Sequence, residues 1–203
     1  MAISLKDGLF GREREVIMKV FRRISVSVLV VFLTIGLSYS VAWGLFDKAR
    51  AMVHHTTGSR YFEKGQWDKA IAEYNEAIEL DPKYADAYFS RGNAYYNKGH
   101  YDQAIADYTE AIEINPRLTE AYANRGLAFA QGKGRFDQAI SDFNKALGIN
   151  PRYAMAYNYR AVTYYYQGED DKAWEDVHKA QSWGYQFAPK FLKALREASG
   201  RQR

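Results

Sequence analysis

The sequence predicts an all-α chain in which an apolar, membrane-crossing helix precedes an array of helical hairpins. Three observations carry that prediction. Residues 24–46 contain no charged side chain. Prolines recur in matching contexts, Asp81-Pro82, Asn115-Pro116 and Asn150-Pro151, at spacings of 34 and 35 residues. Columns of small and large residues repeat with the same period, the signature of a stacked repeat architecture. With 4 Pro among 203 residues, long helices are open to the chain. It has no Cys, which excludes a disulfide framework, a thiolate metal site and a cysteine nucleophile.

The first element, residues 1–23, is a basic tail with six Lys/Arg against three Asp/Glu. Residues 24–46 follow as the membrane helix. At about 1.5 Å per residue the segment reaches roughly 34 Å, enough for a hydrocarbon core of about 30 Å. Tyr39 and Trp43 lie towards one end, where an aromatic belt would sit, and Arg22 and Arg23 abut the other. Arg12, Arg14, Lys19, Arg22 and Arg23 precede the segment, whereas Lys48, Arg50 and Arg60 follow it. The positive-inside bias therefore places the N-terminus in the cytoplasm and the body outside it, in the periplasm of a bacterium. Cleavage is the alternative, because Ser40-Val41-Ala42 offers small residues where a signal peptidase reads, and it would release a secreted body.

The body reads as four repeats, 51–84, 85–118, 119–153 and 154–184. Small residues recur at Gly58, Gly92, Gly126 and Ala161, and large ones at Tyr74, Tyr108, Phe143 and Val177. Such pairing lets two antiparallel helices approach closely. Gly65, Gly99, Gly134 and Gly168 fall between the helices of each repeat, where a left-handed residue ends the first, and each Pro follows the second. Asp68, Asp102, Asp137 and Asp171 read as caps of the second helices. The extra residue in Gly132-Lys133-Gly134-Arg135 reads as part of a turn. Residues 185–203 are expected to form a capping helix, Pro189 to Ala198 with Phe191, Leu192 and Leu195 as its apolar stripe, and a basic C-terminal tail.

The net charge of +4 resides at the ends, since residues 190–203 add five Lys/Arg against one acidic residue and residues 47–189 sum to −3. A nucleic-acid-binding body needs the opposite sign. Arg91, Arg125 and Arg160 recur in the first helices, and Glu73, Asp107, Asp142 and Asp176 in the second. They read as a ladder of partly exposed ion pairs contributing about 0 to 1 kcal/mol each. No catalytic motif appears, and His54-His55 point in different directions on a helix with no third ligand at characteristic spacing. No enzyme activity, cofactor or metal is expected.

In repeat length and in its small and large positions the pattern resembles the tetratricopeptide repeat (TPR) family over residues 51–184. Repeats two and three match almost fully. Repeat one departs with His54 and Thr57, where the others have Tyr and Arg, and repeat four with Asp170 and Tyr185, as end repeats do. The resemblance implies a right-handed α-solenoid of four TPR hairpins plus the capping helix, with a concave groove lined by first helices. Its inward positions would include Phe62 in repeat one and Phe89, Asn93, Tyr96 and Asn97 in repeat two. Repeat three would add Asn124, Leu127 and Gln131, and repeat four Asn158, Val162, Tyr165 and Tyr166. The function implied is a membrane-anchored adaptor that binds a peptide or helix segment of a partner protein. The alternative is a secreted or self-associating structural scaffold of the cell envelope. Some co-chaperone TPR domains grip a C-terminal carboxylate with two Asn and three cations. Here Asn93 and Asn124 are present, but Phe89, Met155 and Tyr159 stand where the cations should be.

Overall fold

The computed structural model describes residues 39–200. The chain divides into two compact units, Met1–Lys48 and Ala49–Arg203. Most of the expected membrane segment, residues 24–38, lies outside the described residues, as does residue 201 onward. Among the described residues no helix is long and apolar enough to cross a membrane.

Nine helices are described: α1 (Tyr39–Glu63), α2 (Trp67–Leu80), α3 (Ala85–Asn97), α4 (Tyr101–Ile114), α5 (Thr119–Lys133), α6 (Phe136–Ile149), α7 (Ala154–Gln167), α8 (Asp170–Ser182) and α9 (Pro189–Ala198). Within the second unit they pack as successive hairpins, α3 on α4, α5 on α6 and α7 on α8, with each second helix also against the first helix of the next pair. The second half of α1 pairs with α2 in the same way, through Gly58 and Tyr74. The array ends where Leu195 of α9 is fully buried among Val177, Ala180 and Phe187, with Phe191 and Leu192 packed on the same cluster.

Helix approach is set by glycine against ring. A Cβ placed on Gly58 would stand 2.7 Å from Tyr74, on Gly92 2.8 Å from Tyr108, and on Gly126 2.7 Å from Phe143. Each ring thus occupies the volume that its partner glycine leaves empty. The last hairpin makes the opposite exchange. Ala161 carries the methyl and Val177 is the smaller partner, both wholly buried in one cluster.

The turns follow from the backbone. Gly99 adopts φ +75°, and its N–H and that of His100 bond back to Tyr96 and Tyr95, which closes α3 and reverses the chain. Past each second helix, the side chains of Asp81, Asn115 and Asn150 accept the N–H groups of Lys83, Arg117 and Arg152 at 3.1, 3.2 and 3.0 Å, spanning the intervening Pro. Two expectations are corrected. Gln66, His100, Arg135 and Glu169 are the capping residues, none with a side-chain cap bond, and the four aspartates sit two residues further in. Within the first turn, these carboxylates act as charges beside the helix N-terminus. Asp68 does so while paired with Lys98, and Asp137 while accepting from Gln167 at 2.9 Å. Gly132 and Lys133 are helical rather than part of a turn. Tyr101 packs so closely that a Cβ on Gly132 would stand 2.5 Å from it, and the extra residue lengthens α5.

The arginine column is also more than a surface ladder. Arg91 forks onto Asp107 at 2.8 and 2.6 Å, Arg125 onto Asp142 at 2.8 and 2.8 Å, and Arg160 onto Asp176 at 2.7 and 2.7 Å. All three aspartates are buried. The remaining guanidinium nitrogen reaches back to the preceding hairpin, to Asn75 at 2.6 Å, Thr109 at 3.1 Å and Asn144. Each guanidinium also lies over a tyrosine ring, Tyr88, Tyr122 and Tyr157, at 5.5, 5.7 and 5.5 Å. Burial pushes the carboxyls of Asp107 and Asp176 up, against the pull of their arginines.

Because ring and glycine share one volume, their substitutions must couple. Gly92→Ala is expected to cost about 1–3 kcal/mol by overpacking, and markedly less when Tyr108→Val introduces the pairing that the last hairpin uses. A double-mutant cycle by urea unfolding measures this, and strictly additive costs would refute the shared-volume account.

Candidate functional site

The face built from the first helices gathers amides and rings. Asn93 of α3 collects three hydrogen bonds there. Its Oδ1 accepts from Tyr108 Oη and from Asn124 Nδ2, each at 2.8 Å, and its backbone carbonyl accepts from Asn97 at 2.8 Å. Tyr96 donates to Gln131 Oε1 and so ties α3 to the end of α5. Tyr101 supports the Tyr96 ring edge-on at 5.5 Å, which fixes where that hydroxyl points.

Between α5 and α7 the same face opens into a cavity of about 520 Å³. Leu127, Ala130 and Gln131 supply one wall, Asn158, Tyr159, Val162, Thr163 and Tyr166 the other, and Phe136 of α6 closes one end. None of these side chains is charged. The Phe136 and Tyr166 rings stack with planes 8° apart and centroids 6.3 Å apart, and Tyr166 remains 67% exposed. Tyr159 packs against Phe143 at 6.0 Å. Burial raises the Tyr96 phenol to about 12 and pushes Tyr108 and Tyr159 up as well, and proximity to Tyr159 adds to the first two, so all three hydroxyls stay protonated near neutral pH.

Of the residues that the sequence pointed to, Leu127, Gln131, Asn158, Val162 and Tyr166 come together around the cavity. Asn93, Asn97, Asn124 and Tyr96 form the adjoining hydrogen-bonded row. Three lie in packing instead. Phe62 meets Trp67 at a tilt with centroids 4.9 Å apart, Phe89 meets Tyr108 at a tilt at 5.9 Å, and Tyr165 meets Phe191 of the capping helix edge-on at 5.8 Å. Sequence reasoning missed Ala130, Phe136, Tyr159 and Thr163. A signal existed for Phe136, which occupies the aromatic column of Trp67 and Tyr101 at the start of the second helices of repeats one to three. Tyr159 was legible only as the absence of a cation. Among the described residues, no three His, Cys, Asp or Glu side chains gather in a way that could hold a metal ion.

The repeat geometry and the sequence agree with known profiles. The TPR repeat family profile matches residues 58–99 and 133–168, and the tetratricopeptide repeat profile matches residues 85–118. Over those residues the hairpins are tetratricopeptide repeats. No curated protein matches the chain. Among solved structures, the TPR array is similar to MamA, at 26% identity over 71% of this chain and 80% of MamA, with a TM-score of 0.62. It is also similar to the first TPR of Spaghetti (RPAP3) solved with an HSP90 peptide, at 27% identity over 57% of this chain and 91% of that one, with a TM-score of 0.56. The second TPR domain of human RPAP3, solved with an HSP70 peptide, is 26% identical over 58% of this chain and 97% of that one, also with a TM-score of 0.56.

The amide row makes a discriminating prediction. Asn93→Ala removes the acceptor of Tyr108, whose side chain is fully buried, and should cost about 1–3 kcal/mol for the stranded hydroxyl. Asn124→Ala leaves that acceptor in place and should cost under about 1 kcal/mol. Equal costs in urea unfolding would show that the Tyr108 bond does not anchor the row.

Proposed function

We propose that this TPR protein is a non-catalytic, membrane-anchored adaptor that holds a segment of a partner protein on its first-helix face. The observation that carries the proposal is the cavity between α5 and α7, built mainly from first-helix side chains and free of charge. Aromatic walls give contact area at little entropic cost, and the neighbouring amides offer hydrogen bonds to a peptide backbone. The RPAP3 domains, with their bound chaperone peptides, support the use of this face for a peptide.

The peptides in those complexes end in Glu-Glu-Val-Asp. This chain places Phe89, Met155 and Tyr159 where clamp cations would be, so an acidic tail would lose its charge-assisted bonds. The partner segment is therefore uncharged where it meets the cavity. The uncharged run at residues 24–46 and the basic residues before it support a single-pass topology, N-terminus in the cytoplasm and repeats outside it. Anchoring would raise the local concentration of the repeats for membrane-bound clients.

A photoreactive residue replacing Val162, at the cavity wall, should yield light-dependent adducts with a partner protein in intact cells. The same residue replacing Glu113, exposed on α4, should not. Adducts of equal yield at both positions, or none at position 162, would contradict the assignment of this face.

A further inference from the structure

We propose that the outer face of the second helices pairs with the same face of a second copy of this chain, about a two-fold axis running along the helices. The inference is independent of what the cavity holds. Near its C-terminal end each second helix exposes two residues, three apart and so on one side of the helix. They are Glu76 and Glu79 on α2 and Glu110 and Glu113 on α4, but Lys145 and Gly148 on α6 and Lys179 and Ser182 on α8. At matching repeat positions the face is thus acidic over the first two hairpins and basic over the last two, and its sign changes between α4 and α6. Among the described residues none of these six charged groups is in an ion pair. Glu113 lies near Arg125, but that guanidinium is already forked onto Asp142. Towards the helix starts the charges are met within the chain. Lys69 lies over the Tyr61 ring at 5.5 Å, and Lys172 pairs with Glu169 at 3.1 Å and has Glu175 nearby.

A face with one block of each sign fits neither a nucleic acid nor an anionic membrane, since each presents a single sign. Turned about a two-fold axis at its midpoint, it fits itself. Rotation about an axis along the helices keeps every residue at its own height. It therefore sets α8 of one copy beside α2 of the other, and α6 beside α4, with Lys179 facing Glu76 and Lys145 facing Glu110. Gly148 and Ser182 are small, which leaves each lysine free to reach both carboxylates of the opposite helix. In the adjoining turn the exposed residues are Ala72, Ala106 and Ser141, whose small side chains let the helices approach. Within one chain Glu76 with Glu79, and Glu110 with Glu113, are like-charge pairs that disfavour their own helices, and an opposing lysine relieves both. The same axis brings both chains into their first repeats from one side, as the anchoring proposed above requires. Exposed pairs are individually weak and are screened by salt, so the association is reversible.

The test measures the mass of the full chain in a nonionic detergent by light scattering, with the detergent contribution subtracted. At about 0.05 M salt the mass should rise with concentration to that of two chains. At about 0.5 M, where the screening length falls to about 4 Å, it should return to that of one, and there the single chain can be labelled and measured by itself. Two variants then make the stripe one sign throughout. Lys145→Glu with Lys179→Glu makes it acidic, and Glu76→Lys, Glu79→Ala, Glu110→Lys and Glu113→Ala together make it basic. Neither variant should pair alone at low salt, whereas an equimolar mixture should recover the two-chain mass, which also shows that both fold. A one-chain mass for the wild type at every concentration overturns the proposal. So does a two-chain mass that persists in high salt or in either variant alone, which would place the contact elsewhere, and so does a mixture that stays at one chain. Position 113 lies in this stripe, so a photoadduct there should have twice the chain's mass, distinct from any adduct with another protein.

Discussion

A half-buried arginine, forked onto a buried aspartate, joins each of the last three hairpins to the one before it, and the placement of the first helices depends on those bonds. Arg91, Arg125 and Arg160 each grip the aspartate of their own second helix with two nitrogens and the preceding hairpin with a third. Lysine could supply the charge but not the planar geometry that addresses two helices at once. A buried pair of this kind is weak evidence of net stabilisation, since desolvation offsets much of the attraction. Loss of either partner is costly because the other is then stranded. The fork is better understood as fixing position than as adding stability. The first repeat confirms the logic by exception. Thr57 replaces the arginine and bonds only within its own helix, to Val53 at 2.9 Å, while the freed Glu73, one carbon longer than aspartate, reaches His54 at 2.8 Å.

Spending the charges between helices leaves the first-helix face with phenols, amides and aliphatic groups. The close contact of glycine and ring contributes to the same outcome. With Gly92 against Tyr108, the ring passes far enough across the hairpin for its hydroxyl to meet Asn93, and Asn93 then meets Asn124 of the next repeat. One packing decision in the core thus sets the orientation of an amide at the surface. Phe143 fills the corresponding space in repeat three without a hydroxyl, and there the face opens into the cavity.

Much of this was legible in the sequence because the repeats supply internal comparison. The small and large columns identified the helices that touch, and the glycines before each second helix marked the reversals, seen at Gly65, Gly99, Gly134 and Gly168 as φ between +61° and +75°. What escaped was whatever depended on depth or on a neighbour distant in sequence. Asp107, Asp142 and Asp176 look like surface acids until burial is known, and the aspartates that start each second helix look like caps until the turn is seen to place another residue there. Gly132 reads as a turn residue, because the Tyr101 ring that requires it comes from the preceding repeat. Phe89 and Tyr165 share the spacing of groove residues, yet their rings are taken up by Tyr108 and Phe191. A chain without cysteine also made the topology of its N-terminal segment depend on charge alone.

The claim that arginine forks set the groove can be tested by distance measurement, which the absence of native cysteine makes simple. Spin labels at Glu120→Cys and Met155→Cys, in the first turns of α5 and α7, report the separation of the two walls by double electron–electron resonance. The account predicts one narrow distance distribution in the otherwise unaltered full chain. It predicts a broadened or displaced distribution in Arg160→Lys, which keeps the charge but loses the fork. An unchanged narrow distribution in Arg160→Lys, with circular dichroism showing an intact fold, would contradict it.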